Sequence, residues 1–199
     1  ALVVGTLVGL AGAWRPGSAV DGVALGVALV GVSLPNFVTG AVLLVVFGGW
    51  LGWLPVGGLQ TPLHAVLPAV TLSVIPAAYI ARLVRLGLAE VMSSDFVRTA
   101  RAKGLSRERA LLKHALRVAL LPVLSFLGPA TAAAMTGSFV VEEVFSLPGM
   151  GRYFVEAVLA KDQFLIMGTV LTYSTLLVLL NLAVDVLYAV VDPRIRGAG

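Results

Sequence analysis

The chain has 199 residues, of which 59% are hydrophobic and only 12% charged, and it carries a net charge of +4. A soluble domain usually has about a quarter of its residues charged, so this composition indicates a protein built for lipid. The absence of cysteine excludes disulfides, thiolate metal sites and cysteine nucleophiles, and two histidines far apart in the sequence make a poor metal or haem site.

Five apolar segments follow one another along the chain. Residues 1–13 would rise only about 20 Å as a helix, less than the roughly 30 Å of a hydrocarbon core, and no basic stretch precedes them as in a signal peptide. We therefore expect the chain to be a fragment that begins inside a transmembrane helix. Four further segments are long enough to span: Gly22–Gly48, Ala65–Val84, Val118–Val141 and Phe164–Val191.

These segments are too long and too apolar for the strands of a membrane barrel, which alternate over about ten residues. The prolines inside them are tolerated in membrane helices when neighbouring groups satisfy the freed carbonyls. The predicted fold class is therefore all-α: a polytopic transmembrane helical bundle with five membrane helices in this chain, the first of them truncated.

The basic residues predict the orientation, because Lys and Arg concentrate on the cytoplasmic side of membrane proteins. Nine of the fourteen lie in Arg82–Arg117, whereas Gly49–His64 has none and Ser146–Gln163 has two. We therefore place residues 82–117, the short connection at Arg15 and the C-terminal tail after Val191 in the cytoplasm. The other two connections then face outward, and the assignments alternate across all five segments.

The segment Asp95–Arg109, DFVRTARAKGLSRER, predicts two helices joined by a tight turn. Ser94 and its neighbours offer N-cap oxygens, and Gly104 stands where a helix end needs a left-handed residue. Ser106 can then cap a second helix that continues into the membrane. A topological anchor would explain the charge of this cytoplasmic segment, but not its length of about thirty residues.

The first of these two helices is predicted to be a docking element. Phe96 and Ala100, with Val97, are expected to share a face at helical spacing, because residues four apart are neighbours on a helix. A helix-turn-helix that reads DNA is the alternative, but the second helix runs without a linker into a membrane span. The basic residues that flank the face are Arg98, Arg101 and Lys103.

The same segment resembles the EAA loop of the integral membrane subunits of ABC importers, the binding-protein-dependent permeases. Only Ala100, Gly104 and Leu116 match the general pattern, in which the Glu, the first Ala, the Ile and the Pro are replaced here. The peptide and nickel branch of the family is similar at nearly every position. The resemblance covers essentially the whole chain, and further stretches that carry it are Ser33–Gly40 (SLPNFVTG), Gly52–Gly58 (GWLPVGG), Val140–Arg152 (VVEEVFSLPGMGR) and Asn181–Arg196 (NLAVDVLYAVVDPRIR).

This resemblance implies a permease subunit of an ATP-driven importer of di- or oligopeptides, in the cytoplasmic (inner) membrane of a bacterium or archaeon. Residues 1–199 would be a transmembrane domain without the family's first helix and outer loop, and residues 88–117 its cytoplasmic coupling loop. The implied partners are two ATPase subunits, a second homologous permease, an extracytoplasmic substrate-binding protein and the lipid bilayer, without nucleic acid or cofactor. The implied ATPase-docking residues are Phe96, Arg98, Ala100, Lys103, Gly104 and Leu105.

Several alternatives stay open at this point. Within the family, the substrate could be nickel or another small solute. A secondary transporter or channel would normally show ionisable residues along its pathway. An intramembrane serine protease built on Ser138 would need a histidine base within the bundle. No GxxxxGK[ST] sequence occurs, so this chain is predicted not to be an enzyme, with ATP hydrolysis in separate subunits.

The acidic residues near the membrane ends have mainly structural interpretations. Glu142 and Glu143 are expected to be solvated at the outer interface rather than to act as a gate. Asp185 is expected to pair with a cytoplasmic arginine rather than to relay protons, because a relay needs further acidic partners. The segment Leu147–Asp162 predicts a turn and a short amphipathic helix, which either lies in the outer interface or contributes to an outer gate or the surface that meets the binding protein.

Overall fold

The computed structural model describes residues 1–191, with side chains described through residue 186. This part of the chain is helical and contains no strand, as the all-α prediction requires. The predicted cytoplasmic tail after Val191 lies outside the described residues. The helices are α1 (Leu2–Trp14), α2 (Ala19–Ser33), α3 (Asn36–Leu43), α4 (Val66–Met92), α5 (Asp95–Ala102), α6 (Arg107–Arg109), α7 (Leu116–Ala119), α8 (Leu121–Val144), α9 (Met150–Ala160) and α10 (Gln163–Val191), with π-helical turns at Leu44–Trp50 and Ala110–Ala115 and a 3₁₀ turn at Pro62–Ala65.

Three helical segments among the described residues are long and apolar enough to cross a membrane: Pro62–Met92, Leu121–Val144 and Gln163–Val186. The helices of Ala19–Ser33 and Asn36–Trp50 add a fourth span if they are counted together. Helix α1, with 13 residues, is shorter than a span. A polytopic, all-helical membrane protein is therefore confirmed. The predicted count of five is not, because the described residues give three spans, or four with the broken pair, and α1 is too short to be a fifth.

The predicted segment Gly22–Gly48 is two helices rather than one. Helix α2 ends at Ser33 and α3 begins at Asn36. Pro35 explains the break, because proline has no backbone N–H to donate and its ring disfavours a helical conformation for the residue before it. Hydropathy alone did not show the interruption, since the residues on both sides are apolar.

Helix α4 continues well past the end that hydropathy predicted at Val84. Its 27 residues run to Met92 and rise about 40 Å, which exceeds the roughly 30 Å of a hydrocarbon core. The beginning of the predicted cytoplasmic loop, including Arg82 and Arg85, is therefore the end of a rigid helix. Charged residues do not end a helix by themselves, because their side chains can extend to the membrane surface.

The first of two compact units consists of residues 1–33, 75–127 and the described end of α10. Helix α1 lies directly on α4, and a Cβ at Gly5 would come within 2.6 Å of the Ala77 carbonyl oxygen. Such contact is possible only for glycine and lets two backbones approach closely. Eight buried apolar residues form the core of this unit: Ala13, Ile80, Val84, Leu88, Leu111, Ala115, Ala119 and Val123.

The second unit consists of residues 34–74 and 128–185. Its core is formed by Leu67, Val141 and Phe145, each at most 3% exposed. The buried Thr71 hydroxyl donates to the Leu67 carbonyl within α4 at 2.8 Å, so this hydroxyl is satisfied inside its own helix. None of the spanning window of α10 is buried inside the chain, so this apolar helix needs lipid or another subunit around it.

Candidate functional site

Helix α5 begins where the sequence predicts, at the serine pair that ends α4. Ser94 occupies the N-cap position with an extended backbone, and Asp95 stands in the first turn, where a carboxylate complements the helix dipole. The Ser94 hydroxyl does not cap α5. It donates to the Val91 carbonyl oxygen, and the Ser93 hydroxyl donates to that of Glu90, so both hydroxyls satisfy carbonyls at the end of α4.

The turn after α5 is a Schellman motif. Gly104 has φ of +91°, its N–H donates to the Arg101 carbonyl at 2.9 Å, and the Leu105 N–H donates to the Ala100 carbonyl at 3.2 Å. A residue with a side chain rarely adopts this φ, so the turn depends on glycine. The predicted role of Gly104 as the turn residue is confirmed.

The second helix of the loop also starts as predicted. The Ser106 side chain accepts a hydrogen bond from the Arg109 N–H at 3.4 Å. From Arg107 the chain continues as α6, the π-helical segment Ala110–Ala115 and α7, and α8 begins at Leu121. Leu111, Ala115 and Ala119 are buried on this stretch, which argues against a recognition helix free to enter a DNA groove.

Val97 anchors α5 to the body of the protein and does not share the outward face with Phe96. Val97 is 0% exposed, whereas Phe96 is 48% exposed. The sequence expectation that both lie on one docking face is therefore wrong for Val97, because consecutive helical residues point about 100° apart. Ala100 is half-buried between these two directions.

The outward surface of α5 and its turn is basic with one large apolar residue. Of the predicted docking residues, Phe96, Arg98, Lys103 and Gly104 are exposed, and Ala100 and Leu105 are half-buried. Arg98 Nη1 lies 3.8 Å from Asp95 Oδ1, but both side chains are mostly exposed, so this ion pair contributes little to the stability of the helix. Within residues 1–186, Arg101 and Lys103 make no ion pair. We name the outward surface of Phe96, Arg98, Ala100, Lys103, Gly104 and Leu105 the coupling face.

Glu142 has a structural partner that the sequence did not reveal. Its carboxylate accepts a hydrogen bond from the Gly151 N–H at 2.7 Å, in the first turn of α9. Gly149 and Gly151 allow this arrangement, because a Cβ on either residue would overlap the Glu142 carboxylate. The expectation of simple solvation therefore fails for Glu142, which holds the start of α9, while Glu143 is exposed as expected.

We expect Glu142→Ala to loosen the start of α9, because it removes a charged acceptor from a helix N-terminus. Amide hydrogen exchange at Gly151 should become about tenfold faster, since a hydrogen bond to a charged group is worth roughly 1.5–3 kcal/mol. Glu142→Gln keeps an acceptor oxygen and should show a smaller change. Glu143→Ala is the matched control, and equal effects of the two alanine variants would contradict this role.

Two of the remaining candidates, Ser138 and His64, have local hydrogen-bond partners. The Ser138 hydroxyl donates to the Met135 carbonyl of its own helix, and His64 pairs with Thr61 at the start of the 3₁₀ turn. No group of three potential metal ligands is present among the described residues. Asp185 is exposed and forms no ion pair with any residue in 1–186, so the expected arginine partner is not among these residues.

Sequence reasoning missed one ion pair in the first unit, between Asp21 and Arg85. The Asp21 carboxylate is buried and accepts two hydrogen bonds from the Arg85 guanidinium. The sequence offers a signal for Asp21 but none for its partner: Ser18–Asp21 reads SAVD, the pattern of a capping box before an apolar run. The Asp21 N–H donates to the Ser18 hydroxyl oxygen at 3.3 Å, so Ser18 caps the start of α2.

Comparison with known proteins identifies relatives along the whole chain. The family model described as "Binding-protein-dependent transport system inner membrane component" matches residues 1–197.

The chain is 45% identical over 198 residues to the oligopeptide transport system permease protein OppB of Haemophilus influenzae, with 98% of this chain and 65% of that protein covered. It is 43% identical over 196 residues to the dipeptide transport system permease protein DppB of Bacillus subtilis, with 98% and 64% covered. It is also 43% identical over 198 residues to OppB of Escherichia coli K12, again with 98% and 65% covered. The chain thus spans slightly less than two thirds of the length of these relatives.

Proposed function

The chain belongs to the family of binding-protein-dependent transport system inner membrane components, and we propose that it is the membrane-spanning subunit of an ATP-driven importer of di- or oligopeptides. Residues 1–199 form a transmembrane domain, and residues 88–117 form its cytoplasmic coupling loop. Two separate ATPase subunits supply the energy, a second permease completes the pathway, and an extracytoplasmic binding protein delivers the peptide. The membrane is the cytoplasmic membrane of a bacterium or archaeon.

The coupling face is the observation that supports this proposal most strongly. Helix α5 presents an exposed Phe96 among basic side chains, a combination suited to a partner groove with an apolar pocket and an acidic rim. Aromatic residues are frequent energetic centres of protein interfaces, because they bury a large area with few rotatable bonds. An ATPase subunit with such a groove is the partner that we propose.

The attachment of α5 explains how movement of the ATPases would reach the membrane. Only Ser93 and Ser94 separate α5 from the end of α4, and both hydroxyls are bonded to α4 carbonyls. Val97 is fully buried, and Leu111 in the following helix belongs to the same unit's core. A force on the coupling face therefore acts on a packed helical body rather than on a flexible loop.

The peptide class rests on the relatives. The relatives at 43–45% identity are named as oligopeptide or dipeptide transport permeases. The orientation rests on charge, since Arg82–Arg117 carries nine basic residues and the positive-inside rule places it in the cytoplasm. The coupling face then lies on the side of the membrane where ATP is available.

The experiment that tests the proposal is mild-detergent purification of the full-length protein from its own membranes, with its partners identified by mass spectrometry. We expect a second permease and one or two ATPases with Walker motifs to be recovered with it. Phe96→Ala should reduce the recovered ATPase about tenfold, since truncating a central aromatic residue commonly costs more than 1 kcal/mol.

Leu159→Ala is the matched control, because Leu159 is even more exposed but lies in α9, on the opposite side of the membrane in this topology. Its ATPase recovery should equal that of the wild-type protein. A wild-type protein that is recovered alone, and that moves solute in liposomes without ATP, would contradict the proposed function.

A further inference from the structure

Asp21 and Arg85 form a partly buried, bidentate ion pair between the start of α2 and the last two turns of α4, in which the Arg85 side chain is 24% exposed. Asp21 is 2% exposed. Arg85 Nε donates to Asp21 Oδ1 at 2.5 Å, and Arg85 Nη2 donates to Oδ2 at 2.7 Å. The Gly17 N–H also donates to Oδ2, at 2.8 Å. The Asp21 carboxylate therefore has three well-placed donors, and its position is fixed on both oxygens.

Removing two charges from water is costly, so a buried ion pair is weak evidence for stability alone. Such an ion pair is easier to explain where it holds two helices in one particular arrangement. The surroundings agree with this explanation, because Gly12 of α1 lies against the pair and a Cβ there would come within 3.2 Å of Asp21 Oδ1. The turn between α1 and α2 is thus shaped around the carboxylate.

Beyond the ion pair, α2 is separated from α4 by an open crevice. The crevice has a volume of about 460 Å³. In residues 1–186, all side-chain hydrogen bonds between α2 and α4 run through Asp21 and Arg85. The pair is therefore a tether at one end of a helix that is otherwise loosely attached to α4. The crevice is lined by Leu25, Ala28, Leu29 and Val32 of α2 and by Ala78, Tyr79, Arg82, Arg85 and Leu86 of α4.

Helix α1, in contrast, is packed directly on α4. A Cβ at Gly9 would lie 2.5 Å from the Ala81 carbonyl oxygen and 2.8 Å from the Val84 Cβ. Helix α1 needs no additional link to follow α4, because its backbone is already in contact. Helix α2 packs against α1. Along the crevice, however, Gly26 of α2 meets nothing within 4 Å, so the ion pair is the direct link from α2 to α4.

We infer that the Asp21–Arg85 pair is a positioning element that makes α2 follow α4 when the coupling face moves. Arg85 lies two turns before the end of α4, which leads through two residues into α5. A displacement of α5 therefore reaches Arg85 along a continuous helix, and the ion pair passes it to the start of α2. This inference rests on the proposed function, since it assigns a coupling role to residues away from the coupling face.

The test uses the complete importer in liposomes and measures peptide imported per ATP hydrolysed. We expect Asp21→Asn, which keeps the shape and one acceptor but loses the charge, to lower this ratio about tenfold while the complex still assembles. Glu143→Gln is the matched control. It removes the charge of an exposed carboxylate at the end of α8, and the ratio should stay at the wild-type value.

A double variant, Asp21→Cys with Arg85→Cys, then shows whether the contact between α2 and α4 stays closed during transport or has to break. The present chain contains no cysteine, so a short bifunctional thiol reagent would act at these two positions in a cysteine-free complex. We expect the unlinked double variant to be uncoupled and the linked one to regain most of the transport per ATP. A link that only transmits movement can stay intact throughout the transport cycle, so cross-linking it should be harmless. A contact that must break during the cycle would be blocked by the cross-link.

Three results would overturn the inference while the wild-type complex still couples ATP to import. They are normal coupling in Asp21→Asn, inhibition of transport by the cross-link, and failure of Asp21→Asn to assemble, which would mean that the pair serves folding. A wild-type complex that does not use ATP would instead overturn the proposed function.

Discussion

A complex that carries Gly104→Val is expected to assemble and hydrolyse ATP, but to import peptide about tenfold more slowly than the wild type. Gly104 has φ of +91°, a conformation that a β-branched residue adopts only with a strain of about 1–3 kcal/mol. Nothing lies within 4 Å of a Cβ at this position, so the effect comes from the backbone and not from a collision. The altered turn would reorient α5 relative to the second helix and displace the coupling face.

Two further variants make this prediction specific. Gly168→Val adds the same side chain in α10, where nothing lies within 4 Å of a Cβ and the backbone is helical, so import should be unchanged. Gly104→Asn should retain more import than Gly104→Val, because Asn tolerates positive φ better than other residues with a side chain. Uptake by proteoliposomes with labelled peptide measures all three. Normal uptake by Gly104→Val would contradict the role of the turn.

Gly9→Val is expected to prevent α1 from packing on α4 and to leave little folded protein in the membrane. The added Cβ would lie 2.5 Å from the Ala81 carbonyl oxygen, and backbone atoms cannot yield as a flexible side chain does. Overpacking of a tight contact costs about 1–3 kcal/mol, and here the two methyl groups on the valine Cβ would add to it. The melting temperature of the purified protein in detergent should fall well below that of the wild type. It is measured as the loss of the folded peak in size-exclusion chromatography after heating.

Gly26→Val is the matched control for this prediction. Gly26 is also a helical glycine in an apolar segment of the same unit, but nothing lies within 4 Å of a Cβ there. Its melting temperature should stay close to the wild-type value. Equal melting temperatures of the Gly9 and Gly26 variants would mean that α1 does not rest on α4 as described.

The local structure of the coupling loop was predictable because its signals are short-range. Gly104 ends α5 and Ser106 caps the next helix through atoms a few residues away, so their positions indicate helix, turn and helix. The Ser94 hydroxyl, which was expected to cap α5, bonds a carbonyl of α4 instead. The family resemblance extended this prediction to the proposed docking residues, and the structure places Phe96, Arg98 and Lys103 on an accessible surface.

The features that the sequence did not predict depend on distant contacts or on a single backbone atom. The partners Asp21 and Arg85 are 64 residues apart, and nothing local indicates that they meet. Glu142 reaches the N–H of Gly151 across a turn whose geometry appears only in three dimensions. The break before Asn36 comes from the missing N–H of one proline, which an average over hydropathy does not detect.

The most direct test of the central claim is site-specific photo-cross-linking from position 96 in the intact importer. A benzophenone side chain in place of Phe96 keeps an aromatic group on the coupling face. We predict that it forms a covalent product with an ATPase subunit, whereas the same probe in place of the exposed Leu159 of α9 does not. An ATPase product from position 159 and none from position 96 would contradict both the topology and the coupling role of α5.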